Sequence, residues 1–260
     1  MLPFKRILFP VDFSDHSVGA ARYVEAFTGR FDADLTILHV IGPPQYNDLL
    51  AESADQKRRR VEQFLKREFE YFRVERIVAQ GDPAGAILET AASRNSDLIM
   101  MPTLGAGGFR RFLIGSVTAK VLHDADCPVW TGVHLEQAPS LEKIEFRRLL
   151  CAVNLEEHSR VVIRGALEFA EEYRASLTAL HVMQGTDRLE EIRCRMEKLA
   201  GGAEIAIETG EIPVTVANVA ARIKADLLVI GRSPDPGVFG RLRTHAYPII
   251  RQSPCPVISV

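Results

Sequence analysis

The residues whose types and spacing most clearly indicate a chemical role are the glycines of one loop. From Met101 to Val117 the chain reads Met-Pro-Thr-Leu-Gly, then nine residues, then Gly-Ser-Val. Glycine lets a backbone approach a ligand without a Cβ in the way. A helix that begins at Gly115 and Ser116 would aim unpaired N–H groups and the positive end of its dipole at an anion. The pattern is that of a phosphate-binding loop, with a ligand-free turn as the alternative.

The chain repeats itself. Arg6–Asp12 (Arg-Ile-Leu-Phe-Pro-Val-Asp) corresponds to Arg148–Asn154, and His39 and His181 follow at matching distances. Each copy ends in Cys-Pro-Val, and the second is shorter by a segment about the size of Asp48 to Arg60. The repeat predicts two tandem domains, 1–134 and 145–260, with a polar linker from His134 to Glu145.

Alternating strands and helices must position the loop. Ser14 or Ser17 is expected to cap a first helix, whose apolar face would include Val18, Ala21, Val24 and Phe27, and Gly29 is expected to end it. The spacing of apolar residues predicts another helix over 61–72, and Asp82-Pro83 marks the start of a third. Apolar strands in alternation with helices favour a parallel sheet that binds ligands beyond the carboxyl ends of its strands.

Three features should meet at that edge: Val11-Asp12 after the first strand, Val40 after the second, and the glycine loop after the fourth. A Val-Asp pair, the glycine spacing with Ser116, and Cys127-Pro-Val129 occur here in that order. In this combination the chain resembles the universal stress protein family over nearly its whole length, twice.

The resemblance implies two tandem open five-stranded parallel α/β domains, Rossmann-like with strand order 3-2-1-4-5, packed as an internal pseudo-dimer. It also implies that the first copy binds ATP, with Mg²⁺ as a candidate companion. By position, the resemblance assigns adenosine to Pro10, Val11, Asp12 and Val40, the ribose side to Met101, Pro102 and Thr103, and the phosphates to Gly105, Gly108, Gly115, Ser116, Val117 and Thr118.

The sequence departs from this motif at several points. Pro102 stands where the motif has its first glycine, which removes one backbone donor. In the second copy Asn154 replaces the acid, Pro234 replaces a glycine, and Thr244-His245 align with Gly-Ser. The second copy is therefore expected to be structural, or to bind a different anion through Arg232, Arg241 or Arg243. Solvated loop arginines are the favoured alternative.

Composition excludes several classes. The formal net charge is −2, which gives no global basic surface for nucleic acid, and Lys57–Arg60 is interpreted as a solvated helix face. No apolar run reaches the ~18 residues of a membrane span, and acidic residues interrupt the early apolar stretch that a signal peptide would need. The four cysteines lack metal-ligand spacing. A cytoplasmic protein with reduced thiols is expected.

Catalytic candidates are few. His39 and His181 occupy matching positions, and their repetition in a copy without the nucleotide motif favours a structural role. The sequence contains no P-loop lysine motif and no zinc-protease motif. The expected function is a stress-response protein that binds ATP as a regulatory ligand and acts on an unidentified protein partner. A slow ATPase or phosphate-transfer enzyme and a nucleotide-free interaction scaffold are the alternatives, and further homodimerisation stays open.

Overall fold

The computed structural model describes residues 3–42, 53–104, 114–133, 135–185, 188–232 and 245–260. The chain divides into two compact units. The first comprises Pro3–Val129 and His134–Ile144, and the second comprises Trp130–Val133 and Glu145–Val260. The segment expected to link the two copies thus belongs to the first unit.

Strands and helices alternate in the first unit. They are β1 (Arg6–Pro10), α1 (Asp15–Phe31), β2 (Asp34–Ile41), α2 (Ala54–Gln63), β3 (Val74–Gln80), α3 (Pro83–Ser93), β4 (Leu98–Pro102) and α4 (Ser116–Asp124). β5 (Val129–Gly132) follows and, apart from Val129, groups with the second unit. The first four strands are parallel and lie in the order β3-β2-β1-β4. Two 3₁₀ turns, Leu135–Gln137 and Leu141–Lys143, complete this unit.

The second unit repeats the pattern. Its elements are β6 (Arg148–Ala152), α5 (Ser159–Tyr173), β7 (Ser176–Met183), α6 (Leu189–Leu199), β8 (Glu204–Thr209), α7 (Ile212–Ile223), β9 (Leu227–Ile230), α8 (Ala246–Gln252) and β10 (Val257–Ser259). The parallel order β8-β7-β6-β9-β10 is the predicted 3-2-1-4-5 order in full. The predicted α/β fold is confirmed.

The central strands are buried over nearly their whole length. In β1 every residue after Arg6 is buried, and all five residues of β4 are buried. Such strands are apolar because helices cover both faces of a parallel sheet. Asp97 ties the two strands together where they begin, since its carboxylate accepts the backbone N–H groups of Lys5 and Arg6 at 2.9 and 3.0 Å. Asp226 does the same for Arg147 and Arg148.

The first helix starts as predicted but ends later. The Ser14 side chain accepts a hydrogen bond from Ser17 N, which makes Ser14 the N-cap of α1. The helix continues through Gly29 to Phe31, and Asp32 ends it in the left-handed conformation, with its N–H donating to Thr28 O. The prediction that Gly29 ends the helix was therefore wrong, because aspartate tolerates that conformation. Val18 is 37% exposed and does not belong to the buried face.

The helix predicted over 61–72 is also wrong in its bounds. α2 ends at Gln63 because Phe64 is extended and Leu65 has a positive φ of 49°. Phe64 packs instead against the Phe13 ring, at 5.2 Å between centroids. The second copy keeps the equivalent helix as α6, so the missing residues do not remove a helix. Their absence shortens the two connections that flank this helix. These connections are residues 184–188 and 200–203 in the second copy, and residues 42–53 and 64–73 in the first.

The segment after β5 crosses α1 at close range. A Cβ at Gly19 would lie 1.9 Å from Leu135 O, so only glycine leaves room for the backbone there. The Arg22 guanidinium donates to Ala138 O and to Pro139 O, and the side chains of Leu135 and Ala138 are buried. One small residue and one arginine thus fix this segment on the first unit.

We predict that Gly19→Ala lowers the free energy of unfolding by at least about 2 kcal/mol, because the new methyl group overpacks against Leu135. The measurement is urea unfolding followed by circular dichroism. Gly29→Ala is the matched control in the same helix. Its added Cβ would meet the Phe72 ring at an ordinary 3.5 Å, so it should be neutral or stabilise by up to about 1 kcal/mol. Equal stability of both variants would contradict the close packing at Gly19.

Candidate functional site

Asp12 lies immediately beyond the carboxyl end of β1 and organises the turn into α1. Its Oδ1 accepts hydrogen bonds from Ser14 N at 3.0 Å, Ser14 Oγ at 2.6 Å and Ser17 Oγ at 2.7 Å. Val11, just before it, is buried and donates its N–H to Leu38 O. The carboxylate is therefore held in one orientation at the end of the central strand.

The α4 helix begins at the carboxyl end of β4. Gly115 N donates to Thr103 O at 2.8 Å, and the buried Thr118 hydroxyl donates to Pro102 O at 3.0 Å. These two bonds bring both ends of the glycine loop to one place. Gly105, Gly107, Gly108, Arg110 and Arg111 lie outside the described residues.

The first turn of α4 has no side-chain cap. Gly115 is the N-cap residue with φ −60° and ψ 148°, and it has no side chain to accept a bond from the helix. The opening residues Ser116 and Val117 therefore present backbone N–H groups that no cap side chain occupies. An anion is the usual partner of such groups, because the helix dipole also favours negative charge there.

A hydrogen bond from the His39 side chain connects the ends of β1 and β2. Its Nδ1 donates to Val11 O at 2.9 Å, since a carbonyl oxygen only accepts. In the second unit His181 Nδ1 makes the same bond to Val153 O at 3.0 Å. Burial is the main cause that lowers the pKa of His39, and the bond to Val11 opposes it. The two histidines brace adjacent strand ends, which agrees with the predicted structural role.

An aromatic cluster beside His39 was not predicted. The Phe13 ring lies 4.4 Å from the His39 ring between centroids, and the Arg60 guanidinium lies 4.4 Å above Phe13. Phe13 has a positive φ of 63°, a conformation that an aromatic residue adopts only when its surroundings fix it. Arg58, Arg59 and Arg60 are exposed, as expected for a solvated helix face, but Arg60 also covers this ring. No sequence motif marks the contact.

The second copy preserves the turn with different chemistry. Asn154 Oδ1 accepts from Glu156 N at 3.2 Å and Ser159 Oγ at 3.1 Å, as Asp12 does with its own serines. The helix that should receive phosphates, α8, starts at Ala246 and has seven residues. Pro234, Arg241, Arg243 and Thr244 lie outside the described residues.

Arg232 contradicts the interpretation of solvated loop arginines. It is 3% exposed. It directly follows the buried strand β9, and its backbone N–H donates to Val260 O at 2.6 Å. Val260 N–H donates to Ile230 O in turn, so two backbone hydrogen bonds join Val260 to the end of β9.

Thiol and metal chemistry find little support in the described part of the chain. Burial raises the pKa of Cys151 and of Cys255 to about 12, so both thiols stay protonated near neutral pH. Among the described residues no three histidine, cysteine, aspartate or glutamate side chains gather as a metal site. Within those same ranges, every helix is too short or too polar to cross a bilayer.

Comparison with known proteins shows which protein family the chain resembles. The model of the universal stress protein family matches residues 3–131. A universal stress protein from Methanocaldococcus jannaschii is 30% identical over 138 residues, covering 48% of this chain and 80% of that protein. One from Thermus aquaticus is 34% identical over 132 residues, covering 48% of this chain and 96% of that protein.

A solved structure extends the likeness to both copies. The crystal structure of a universal stress protein from Archaeoglobus fulgidus DSM 4304 matches with a TM-score of 0.77, covering 98% of this chain and 95% of that one. At 24% identity this match shows the fold alone. The sequence relatives carry the assignment: the chain belongs to the universal stress protein family.

Proposed function

We propose that the first copy binds ATP at the carboxyl ends of β1 and β4, and that the nucleotide acts as a regulatory ligand that changes which protein partner is bound. The observation that carries this proposal is the uncapped start of α4, held against β4 by the bond from Gly115 N to Thr103 O. Membership of the family, whose motif the first copy follows, supports the same ligand.

The phosphates are assigned to the first turn of α4. The backbone N–H groups of Ser116, Val117 and Thr118 and the Ser116 hydroxyl supply the donors, with Gly105 and Gly108 as further contributors from the undescribed part of the loop. Gly115 has committed its own N–H to Thr103 O, so it contributes by leaving the approach to this turn free of a side chain. The Thr118 hydroxyl proton is already committed to Pro102 O, so Thr118 contributes through its backbone. Short side chains at this turn fit an anion that must approach the main chain closely.

Adenosine is assigned to the neighbouring strand ends. Pro10, Val11 and Val40 supply apolar contact for the base, and Met101, Pro102 and Thr103 line the ribose side. Asp12 is suited to accept a hydrogen bond from a sugar hydroxyl, because its serine partners fix the carboxylate in place. A fixed carboxylate loses little entropy when it binds.

Binding rather than turnover is the proposed role. Phosphoryl transfer requires fixed cations close to the phosphates, and the described residues assigned to the phosphates supply hydroxyl and N–H groups. Mg²⁺ would enter with the nucleotide, coordinated mainly by phosphate oxygens and water. The second copy lacks both the acid and the nine-residue helix, so one nucleotide is proposed per chain.

Gly115→Arg is expected to abolish ATP binding, because its long side chain would occupy the space that the phosphates need at the start of α4. The backbone at Gly115 has φ −60°, which any residue adopts, so the fold should survive. Calorimetric titration with Mg-ATP measures the affinity, and circular dichroism checks the fold. Gly115→Ala is the size control and should stay within about threefold of the parent affinity. Unchanged affinity in Gly115→Arg would refute the assignment.

A reciprocal exchange tests which copy binds. Asp12→Asn keeps an oxygen for Ser14 and Ser17 but removes the charge, so ATP should bind about tenfold more weakly through loss of one charge-assisted hydrogen bond. Asn154→Asp places the acid in the second copy and should leave ATP affinity unchanged. Equilibrium dialysis with labelled ATP measures both. Equal losses from the two exchanges would show that the copies are not specialised.

A further inference from the structure

A cavity of about 120 Å³ lies in the second unit, at the carboxyl ends of β6 and β9. Apolar side chains form most of its wall, among them Val162, Val216, Ile230 and Ile249. Polar residues occupy the remainder of the lining, including Asn154, His158 and His245. No aspartate, glutamate, lysine or arginine is among the described residues that line it.

Two substitutions between the copies shape the wall of the cavity. Counted back from the Cys-Pro-Val that both copies share, Ala246 stands where the first copy has Thr118, one residue away from the register that aligns Thr244-His245 with Gly-Ser. Counted from the fourth strand of each copy, Gly231 stands where the first copy has Pro102. In the first copy the threonine hydroxyl bonds to the proline carbonyl and fills that position. In the second copy the Ala246 methyl group leaves that position open. Gly231 makes room for the neighbouring Val162 side chain, because a Cβ at Gly231 would lie 2.9 Å from Val162 Cγ2.

The polar groups of the lining face its open side, since Asn154 and His245 are exposed and His158 is half-buried. Asn154 spends its carbonyl oxygen on Glu156 N and Ser159 Oγ, an arrangement that fixes which amide atom is oxygen. Among the described residues nothing accepts a hydrogen bond from Asn154 Nδ2, and the imidazoles of His158 and His245 make no hydrogen bond there. The cavity therefore offers an amide donor and two imidazoles beside an apolar wall.

Size and charge together define what fits. An apolar cavity of roughly 150 Å³ binds one benzene molecule, whereas drug-sized ligands need roughly 300 Å³ or more. A nucleotide is too large, and its phosphates would meet no cation among the described lining residues. The α8 helix beside the cavity has only seven residues, which gives it little capacity to hold an anion.

We propose that this cavity binds a neutral, single-ring aromatic molecule that accepts a hydrogen bond from Asn154 Nδ2. The ring lies against the valine and isoleucine side chains, and the imidazoles accept or donate at its polar edge. The site is separate from the proposed ATP site, and its failure leaves the ATP proposal untouched.

The test uses the full chain and pyridine as the probe at pH 8, where pyridine is uncharged. Saturation-transfer NMR should show saturable binding with a Kd below about 1 mM. Benzoate, which has an aromatic ring of the same size and carries a negative charge, should bind at least about tenfold more weakly. Absence of saturable pyridine binding, or equal binding of benzoate, would overturn the proposal.

Two filling variants, each of which adds a larger side chain to the cavity lining, test whether the probe binds in this cavity. Ala246→Thr restores the residue that the first copy carries, and Val216→Ile adds one methyl group to the same lining. Each should weaken pyridine by about tenfold, while Val214→Thr, an exposed exchange outside the lining, should not. Thermal unfolding confirms that each variant is folded. Full pyridine binding in both folded filling variants would place the probe elsewhere and overturn the assignment.

Asn154→Asp tests the hydrogen bond itself. The exchange keeps the oxygen that accepts from Glu156 and Ser159 but removes the amide donor, so pyridine should bind about fivefold more weakly. Benzene, which has no acceptor nitrogen, should lose less affinity than pyridine. An equal loss for both probes would show that Asn154 Nδ2 does not recognise the ligand, which would overturn that part of the proposal.

Discussion

The burial of the central strands is the constraint from which the site follows. β1 and β4 are covered on both faces, so their side chains are committed to the core and polar chemistry is confined to the strand ends. There Asp12 turns the chain into α1, and Gly115 begins α4 against Thr103 O. A carboxylate and the first turn of α4, which has no side-chain cap, therefore lie at the same edge of the sheet, which is where parallel sheets bind ligands.

The two copies show how the same frame supports different surroundings. The braces at the strand ends are kept, since His39 and His181 make the same bond and Asn154 takes over the turn that Asp12 makes. The charge at that turn is lost, and the helix after the fourth strand is shorter. The structural contacts are thus retained in both copies, whereas the acid and the helix that are proposed to hold the nucleotide differ between them.

Sequence patterns predicted the elements whose causes are local. The strands, the Ser14 cap and the parallel sheet follow from apolar runs, capping residues and the alternation of strands with helices, whereas the strand order followed from the family resemblance. Patterns were wrong where long-range contacts decide. Phe64 leaves the helix to pack on Phe13, and Arg232 is buried at the end of β9, where its backbone N–H donates to Val260 O. The close approach of Leu135 to Gly19 was not predicted either, because a glycine within a helix does not indicate which segment packs against it. The ATP site residues and the pseudo-dimer packing of the two copies stay predictions.

The most direct test of the central claim is a crystal structure of the full chain with a non-hydrolysable ATP analogue and Mg²⁺. The account predicts one analogue per chain, with phosphate oxygens about 3 Å from the backbone nitrogens of Ser116 and Val117, and with the ribose near Asp12. An analogue bound only beside Asn154 in the second copy would contradict it. So would a first-copy site closed by the protein's own side chains at saturating analogue.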